Sequence, residues 1–217
     1  MLIAIDCATE TLGLALHDGA RVLAEYTWSG KEHATAKLAP AVKDMLGQAG
    51  AMPKDLTAVG VAIGPGSYTG LRIGLALAKG LALAQQLPIV GIPTADILAR
   101  AQPASKEPML VLIAAGRGRV AGVWYKWTAK DWVARSEAEG MTFAEVLASL
   151  SGATYICGEL GADGRRVLES DSRVRLASPA LSLRRPGFLA ELAWEKIHSR
   201  KLADPAMIAP VYLRAKA

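Results

Sequence analysis

A glycine-rich loop in front of a predicted helix is the stretch whose residue types could bind phosphate. The sequence GPGSYTG begins at Gly64, and a helix start attracts anions because its first N–H groups lack partners within the helix. The stretch lacks the Gly-Lys-Ser/Thr ending of a Walker A loop, and Gly64, Gly66 and Gly70 are spaced one residue too widely for G-x-G-x-x-G. We therefore interpret the loop as a tight turn whose Ser67 or Thr69 caps the helix. Anion binding at Gly66 and Ser67 is kept as the minor hypothesis.

Asp6 is the other candidate for binding a cofactor. It ends the first predicted strand, where an acid faces the magnesium–phosphate site in sugar-kinase and actin-like folds. A strand-terminal acid more often bonds to nearby backbone, so both interpretations stay open. The sequence predicts no catalytic and no metal-ligating set, because His17, His33 and His198 are isolated, Cys7 and Cys157 form no Cys-x-x-Cys pair, and G-x-S-x-G is absent.

Hydrophobic patterning predicts that residues 1–102 form a βββαβαβα unit. Strands are expected at 2–5, 12–16, 21–28, 57–64 and 88–93, and helices at 33–50, after the glycine loop and at 94–102. Asp18 and Gly19 favour a hairpin turn between the second and third strands. Pro40 must either kink its helix or mark the first turn.

The pattern restarts after a linker at 102–108. MLVLIAAGRGRVAGVWYKW, from Met109, has the same order of strand, turn and strand as MLIAIDCATETLGLALHDG at the N-terminus. Further strands are expected at 131–137, 154–158 and 174–177, with helices at 142–150 and 187–201; Thr142 and Glu145 have the spacing of a capping box. The sequence thus predicts an internal duplication with two lobes, 1–102 and 103–217, and a last helix and tail that pack back on the first lobe.

The helix after the glycine loop has almost no polar face. Gly70, Gly74, Ala78 and Ala82 form a ridge of small residues, and Arg72 and Lys79 are the only charges from 70 to 87. Such a helix is either buried on nearly all sides or contacts a partner. We expect it to form a partner interface together with the helix at 33–50, through residues Leu38, Val42, Met45, Gly70, Leu71, Gly74, Leu75 and Ala78.

Charge is uneven along the 217 residues. The net charge of +5 arises entirely in residues 103–217, which contain seventeen basic and twelve acidic side chains. A basic half could contact nucleic acid, or it could be an ordinary solvated surface. Two distant cysteines favour a reducing compartment, and no stretch suggests a leader peptide or a membrane span. We expect a cytoplasmic protein that does not bind membranes.

Several motifs together resemble the bacterial TsaB (YeaZ) family. They are IDCATETLGLAL from Ile5, Glu32-His33, GPGSYTGLRIGL from Gly64, and PVYLR at 210–214. The resemblance covers most of residues 1–100 and the C-terminal tip, whereas 115–185 match poorly. It implies a duplicated actin-like (ASKHA, ribonuclease H-like) α/β fold with two lobes and mixed sheets.

The resemblance also implies a function. TsaB-like chains are non-catalytic subunits of the complex that makes threonylcarbamoyladenosine beside the anticodon of tRNA. The expected partners are TsaD, the catalytic paralogue, the ATPase TsaE, a second copy of the chain in a homodimer through the first lobe, and tRNA through the complex. ATP and metal would be used by the partner subunits. The alternatives are an independent ATP-binding enzyme of the same fold and, least favoured, a peptidase.

Two departures follow from the same resemblance. TsaD-like chains have a His-x-x-x-His metal pair after the strand that here reads PIVGIP, and Thr94 and Leu98 stand near those positions. The Asp-Ala-Arg stretch common at the start of the second lobe is replaced by Ala114-Ala115-Gly116-Arg117. The resemblance therefore implies a pseudo-enzyme without the metal site.

Overall fold

The computed structural model describes residues 1–30, 34–116, 118–199 and 207–213. The first sheet has the strand order β3-β2-β1-β4-β5, in which β1 is antiparallel to β2 and parallel to β4. Its strands are β1 (Leu2–Asp6), β2 (Thr11–His17), β3 (Val22–Ser29), β4 (Ala58–Ala62) and β5 (Ile89–Ile92), and its helices are α1 (Ala34–Gln48), α2 (Tyr68–Gln85) and α3 (Thr94–Arg100). The predicted βββαβαβα order of the first half is confirmed, and Pro40 lies inside α1.

The second sheet repeats this arrangement, with the order β11-β10-β6-β7-β8 and β9 paired to β7. Its strands are β6 (Met109–Ala114), β7 (Val120–Trp127), β8 (Trp132–Ala134), β9 (Glu139–Met141), β10 (Thr154–Gly158) and β11 (Val174–Leu176), and the helices that follow residue 141 are α4 (Phe143–Ala148), α5 (Ala162–Glu169) and α6 (Pro186–His198). The sequence analysis missed α5 and β9. The helix α5 buries only Gly164 and Leu168, so its apolar face is too small to produce a helical pattern.

The first sheet is covered on both faces because β1 alternates between two cores. Ile3 and Ile5 pack with residues of α1 and α2, whereas Leu2 and Ala4 pack with Leu189 and other residues of α6. The last long helix therefore lies on the first sheet rather than on the second. Among the described helices, none is both long and apolar enough to cross a membrane.

The ridge of small residues on α2 packs against this chain's own first strand. A Cβ atom added at Gly70 would lie 2.1 Å from the backbone oxygen of Cys7, and one added at Gly74 would lie 3.2 Å from the Cβ of Cys7. Ala78 and Ala82 are buried in the same core as Ile3 and Ile5. The small residues of the ridge therefore face the chain's own core, which explains why this side of the helix has no polar residues.

Candidate functional site

A cleft of about 930 Å³ lies where the two lobes meet. One wall contains Thr9, Gly66 and Ser67 from the first lobe, and the opposite wall contains Glu159 and Gly161 from the second. Gly66 and Glu159 each follow a central parallel strand, β4 or β10. The internal repeat therefore places equivalent loops opposite each other across one opening.

The glycine loop forms the tight turn that its composition predicts. The Ser67 hydroxyl accepts a hydrogen bond from the backbone N–H of Gly70 at 3.3 Å and caps α2. The Ser67 N–H donates to the carbonyl of Ala8 at 2.6 Å, and a Cβ at Gly66 would lie 2.1 Å from that same oxygen. Gly66 is thus required by backbone packing, and Ser67 is the capping residue.

Asp6 does not face the cleft. Its side chain is 2% exposed, and its Oδ1 accepts a hydrogen bond from the N–H of Ala8 at 2.9 Å. Its Oδ2 accepts from the Nε of Arg184 at 2.6 Å. Both carboxylate oxygens are thus engaged within the protein, as in the backbone-bonded interpretation of a strand-terminal acid, and a role of Asp6 in binding a magnesium–phosphate group stays a prediction.

Arg184 connects the two lobes through a buried cluster. Its side chain is 0% exposed, and its Nη1 lies 2.6 Å from the Oε2 of Glu159 in the second lobe. The guanidinium also donates to the Thr9 hydroxyl at 3.2 Å and to the Thr11 carbonyl at 3.2 Å in the first lobe. Burial alone would lower the pKa of Arg184, but Asp6 and Glu159 outweigh it and raise the pKa above its usual value. The guanidinium therefore stays charged and holds the lobes together.

Sequence reasoning missed Arg184. The residue is 178 positions from Asp6, and no local pattern joins a loop arginine to a strand-terminal acid at that distance. An arginine in this loop does not by itself indicate a buried ion pair. The side chain of the adjacent Arg185 is 55% exposed and pairs with Glu25.

The positions related to the TsaD metal pair have structural roles here. Thr94 is fully buried, and its hydroxyl accepts a hydrogen bond from the N–H of Gly64 at 3.1 Å. Leu98 is buried between α3 and the second sheet. Among the described residues, no group of three or more His, Cys, Asp or Glu side chains is placed to hold a metal ion.

The histidines and cysteines lie apart. His17 and His198 contact Trp194 on the outer side of the first sheet, and His33 lies outside the described residues. Cys7 and Cys157 are both buried and unpaired. Burial, with a smaller effect of Asp6, raises the pKa of the Cys7 thiol to about 12, and burial raises the pKa of Cys157 as well. Neither thiol has the ionised, accessible character of a nucleophile.

The residues predicted to form a partner interface are mostly part of the chain's own core. Gly70 is partly buried. The other seven are buried, namely Leu38, Val42, Met45, Leu71, Gly74, Leu75 and Ala78. A surface on the same two helices lies next to them, in a groove of about 510 Å³ lined by Tyr68, Arg72, Ile73, Ala76, Leu77 and others. An interface on these helices stays a prediction, and its contacting side chains must be the groove residues.

The C-terminal PVYLR segment, described as far as Leu213, borders both the cleft and this groove. The N–H of Val211 donates to the carbonyl of Ile63 at 2.7 Å, next to the glycine loop. The Tyr212 ring stacks on Tyr68 with the ring centres 5.1 Å apart, and its hydroxyl accepts from the Nε of Arg72 at 3.1 Å. The glycine-loop motif and the PVYLR motif of the family resemblance therefore contact each other.

Two sheets of the same topology with a cleft between them define the duplicated, two-lobed actin-like (ASKHA) class of α/β proteins. Residues 21–155 match the family model described as TsaD, tRNA N6-adenosine threonylcarbamoyltransferase. YeaZ from Pseudomonas aeruginosa has a similar structure, with a TM-score of 0.78 and 25% identity over 98% of this chain and 99% of that one.

Two curated relatives are both named tRNA threonylcarbamoyladenosine biosynthesis protein TsaB. The Escherichia coli protein is 39% identical over 99 residues, 46% of this chain, and the Bacillus subtilis protein is 42% identical over 98 residues, 45% of this chain. The matched region spans 42% and 43% of these relatives' own lengths. The chain belongs to the family of the matched model and, within it, to the TsaB (YeaZ) group.

Proposed function

We propose that this chain is a non-catalytic subunit in the biosynthesis of threonylcarbamoyladenosine in tRNA, where it binds and activates a TsaD-like catalytic partner. The observation that carries the proposal is the buried ion pair between Asp6 and Arg184. A carboxylate that is 2% exposed and bonds to Arg184 and Ala8 is not presented to a nucleotide-bound cation.

Two further features support the same conclusion. Leu98 has no ligand atom, and the hydroxyl of Thr94 accepts the hydrogen bond from Gly64; both side chains are buried. The names of the Escherichia coli and Bacillus subtilis relatives state a role in threonylcarbamoyladenosine biosynthesis. In this proposal the ATP, the metal and the transfer chemistry belong to TsaD-like and TsaE-like partners in the cytoplasm, and the isolated chain forms a homodimer.

The groove between α1 and α2 is the proposed partner surface. It is largely apolar, and exposed Ala76 lies on its floor between Ile73 and Leu77. Ala76→Arg places a charged side chain there without entering the core. Ala84→Arg is the matched control, because Ala84 is exposed on the same helix outside the groove. Gly74 is unsuitable for such a test, since it packs against Cys7.

The test is reconstitution of threonylcarbamoyl transfer to tRNA from purified subunits. We expect transfer to require this chain, and we expect Ala76→Arg to prevent co-elution with the TsaD-like subunit while Ala84→Arg does not. Undiminished transfer without the chain would contradict the proposal. So would calorimetric binding of ATP by the isolated chain with catalytic turnover, which would favour an independent enzyme.

A further inference from the structure

Most of the described arginines in the second lobe are paired with carboxylates within the lobe or at its boundary. Each of the following arginines lies within 4.0 Å of a carboxylate oxygen: Arg119, Arg165, Arg166, Arg173, Arg175, Arg184 and Arg185. The positive charge of these arginines is therefore offset by a neighbouring carboxylate in each case.

The β7–β8 hairpin is different. Its cations Lys126, Lys130 and Arg135 are exposed, and none has a carboxylate partner among the residues that the structure describes. The acid within the hairpin, Asp131, is paired with Arg100 of α3 at 3.0 Å. Three cations without a carboxylate partner in the described part of the chain thus lie on one β-ribbon at the edge of the second sheet, and one exposed acid, Glu137, follows them in the chain.

The strand register places two of these cations beside an aromatic ring. Lys126 is opposite Val133, and the N–H of Arg135 donates to the carbonyl of Trp124 at 2.7 Å, one register step further. Residues opposite each other in an antiparallel pair project from the same face. Trp124, Lys126 and Arg135 therefore share one face, and Trp124 is only partly buried by the core beneath it.

The shape of the hairpin is held from its other face. Trp127 is opposite Trp132, and their rings contact edge to face with centres 5.5 Å apart. Val123 and Tyr125 are buried in the core that includes α3. The face with Trp124, Lys126 and Arg135 is therefore fixed in orientation before any ligand arrives.

We propose that this face of the β7–β8 hairpin binds the tRNA, with Lys126 and Arg135 on backbone phosphates and Trp124 against a ribose or base. The inference rests on the proposed function, which supplies the RNA. Cations that lack internal partners gain most from phosphate through counterion release, and an aromatic ring beside them is typical of RNA contacts. The hairpin contacts α3, and none of its residues lines the α1–α2 groove.

The experiment is a salt titration of tRNA binding. Fluorescently labelled tRNA transcript is titrated with the reconstituted complex of this chain and the TsaD-like subunit, and with the full chain alone at low salt. Lys126→Gln/Arg135→Gln removes two charges from the hairpin. Lys54→Gln/Lys106→Gln is the matched control, because both lysines are exposed and, among the described residues, also lack a carboxylate partner.

Removal of two phosphate contacts should weaken binding and reduce the slope of log K against log salt by about 1.4 to 1.8. The control should leave the slope unchanged. Equal slopes for the hairpin variant and the unmodified chain, in the complex and alone, would overturn the inference while leaving the proposed function intact. Loss of complex assembly with unaltered tRNA slopes would also overturn it, and would indicate a contact with an acidic protein surface. Failure of the proposed function appears separately, as tRNA modification that proceeds without this chain.

Discussion

The Nε of Arg184 lies 2.6 Å from the Oδ2 of Asp6, and neither side chain is accessible to solvent. The pair joins the end of the first strand to a loop 178 residues away. Because Arg184 also contacts Glu159 of the second lobe, one guanidinium pairs with two carboxylates from different halves of the molecule. The cation beside these two carboxylates is thus a side chain of the protein, Arg184, and not a bound ion.

Replacement of Arg184 should destabilise the protein strongly. Arg184→Met leaves Asp6 and Glu159 without their counter-charge in the interior, and we expect a loss of about 3–5 kcal/mol in the free energy of unfolding. Urea denaturation followed by circular dichroism measures it. Arg185→Met is the matched control, with an expected loss below about 1 kcal/mol because the Arg185 side chain is 55% exposed and Glu25 keeps its hydrogen bond from Gly187. Similar losses for the two variants would show that the buried cluster contributes little.

Two glycines of α2 should respond in opposite ways to the same substitution. Gly70→Ala places a methyl group 2.1 Å from the carbonyl oxygen of Cys7, so the helix must move, and we expect a loss of about 1–3 kcal/mol. Gly80→Ala meets nothing within 4 Å, and we expect a gain of about 0.5–1 kcal/mol from the higher helix propensity of alanine. Thermal and urea denaturation of both variants test this, and a stabilising Gly70→Ala would contradict the packing of α2 on Cys7.

The buried thiols should make the protein less stable at alkaline pH. Burial, with a smaller effect of Asp6, raises the pKa of Cys7 to about 12, whereas a thiol in the unfolded chain ionises near about 8.5. The stabilising contribution is therefore complete below about pH 8.5 and is lost as the pH rises toward 12. We expect Cys7→Ala to reduce the decline in unfolding free energy between about pH 8.5 and pH 10, by up to about 1.4 kcal/mol per pH unit. An unchanged decline would mean that Cys7 ionises readily in the folded state.

The hairpin turn between β2 and β3 should contribute to stability only above acidic pH. The backbone N–H groups of Ala20 and Arg21 lower the pKa of Asp18 to about 2. A lowered pKa stabilises the folded state above the unfolded value of 3.8 and loses this effect as the pH falls toward 2. Asp18→Asn should therefore reduce the acid dependence of the urea midpoint in this interval. Asp44→Asn, at an exposed position of α1, serves as the control and should leave the acid dependence as it is.

Elements with strong local patterns were predictable from the sequence. The capping box of α4 is confirmed, since the Thr142 hydroxyl accepts from the N–H of Glu145 at 3.2 Å and the Glu145 carboxylate accepts from the N–H of Thr142 at 2.6 Å. The Ser67 cap is also confirmed. The helix α5 was missed because most of its residues are polar or exposed, and the three-residue strand β9 is too short to show alternation.

The sequence by itself determined the order of elements in the first half, the repeated strand pattern and the glycine turn, because each depends on residues that are close in the chain, and composition alone gave the uneven charge. Only the tertiary structure decided how those features are used. An apolar helix pattern does not specify whether the helix is buried in its own chain or against a partner. In the folded chain, the small residues of α2 pack on Cys7 and belong to the core. An arginine-rich half does not specify which arginines are neutralised, and folding paired Arg184 with Asp6 while it left Lys126 and Arg135 without carboxylate partners in the described part of the chain. Such pairings depend on distances across the folded molecule, which no local pattern encodes.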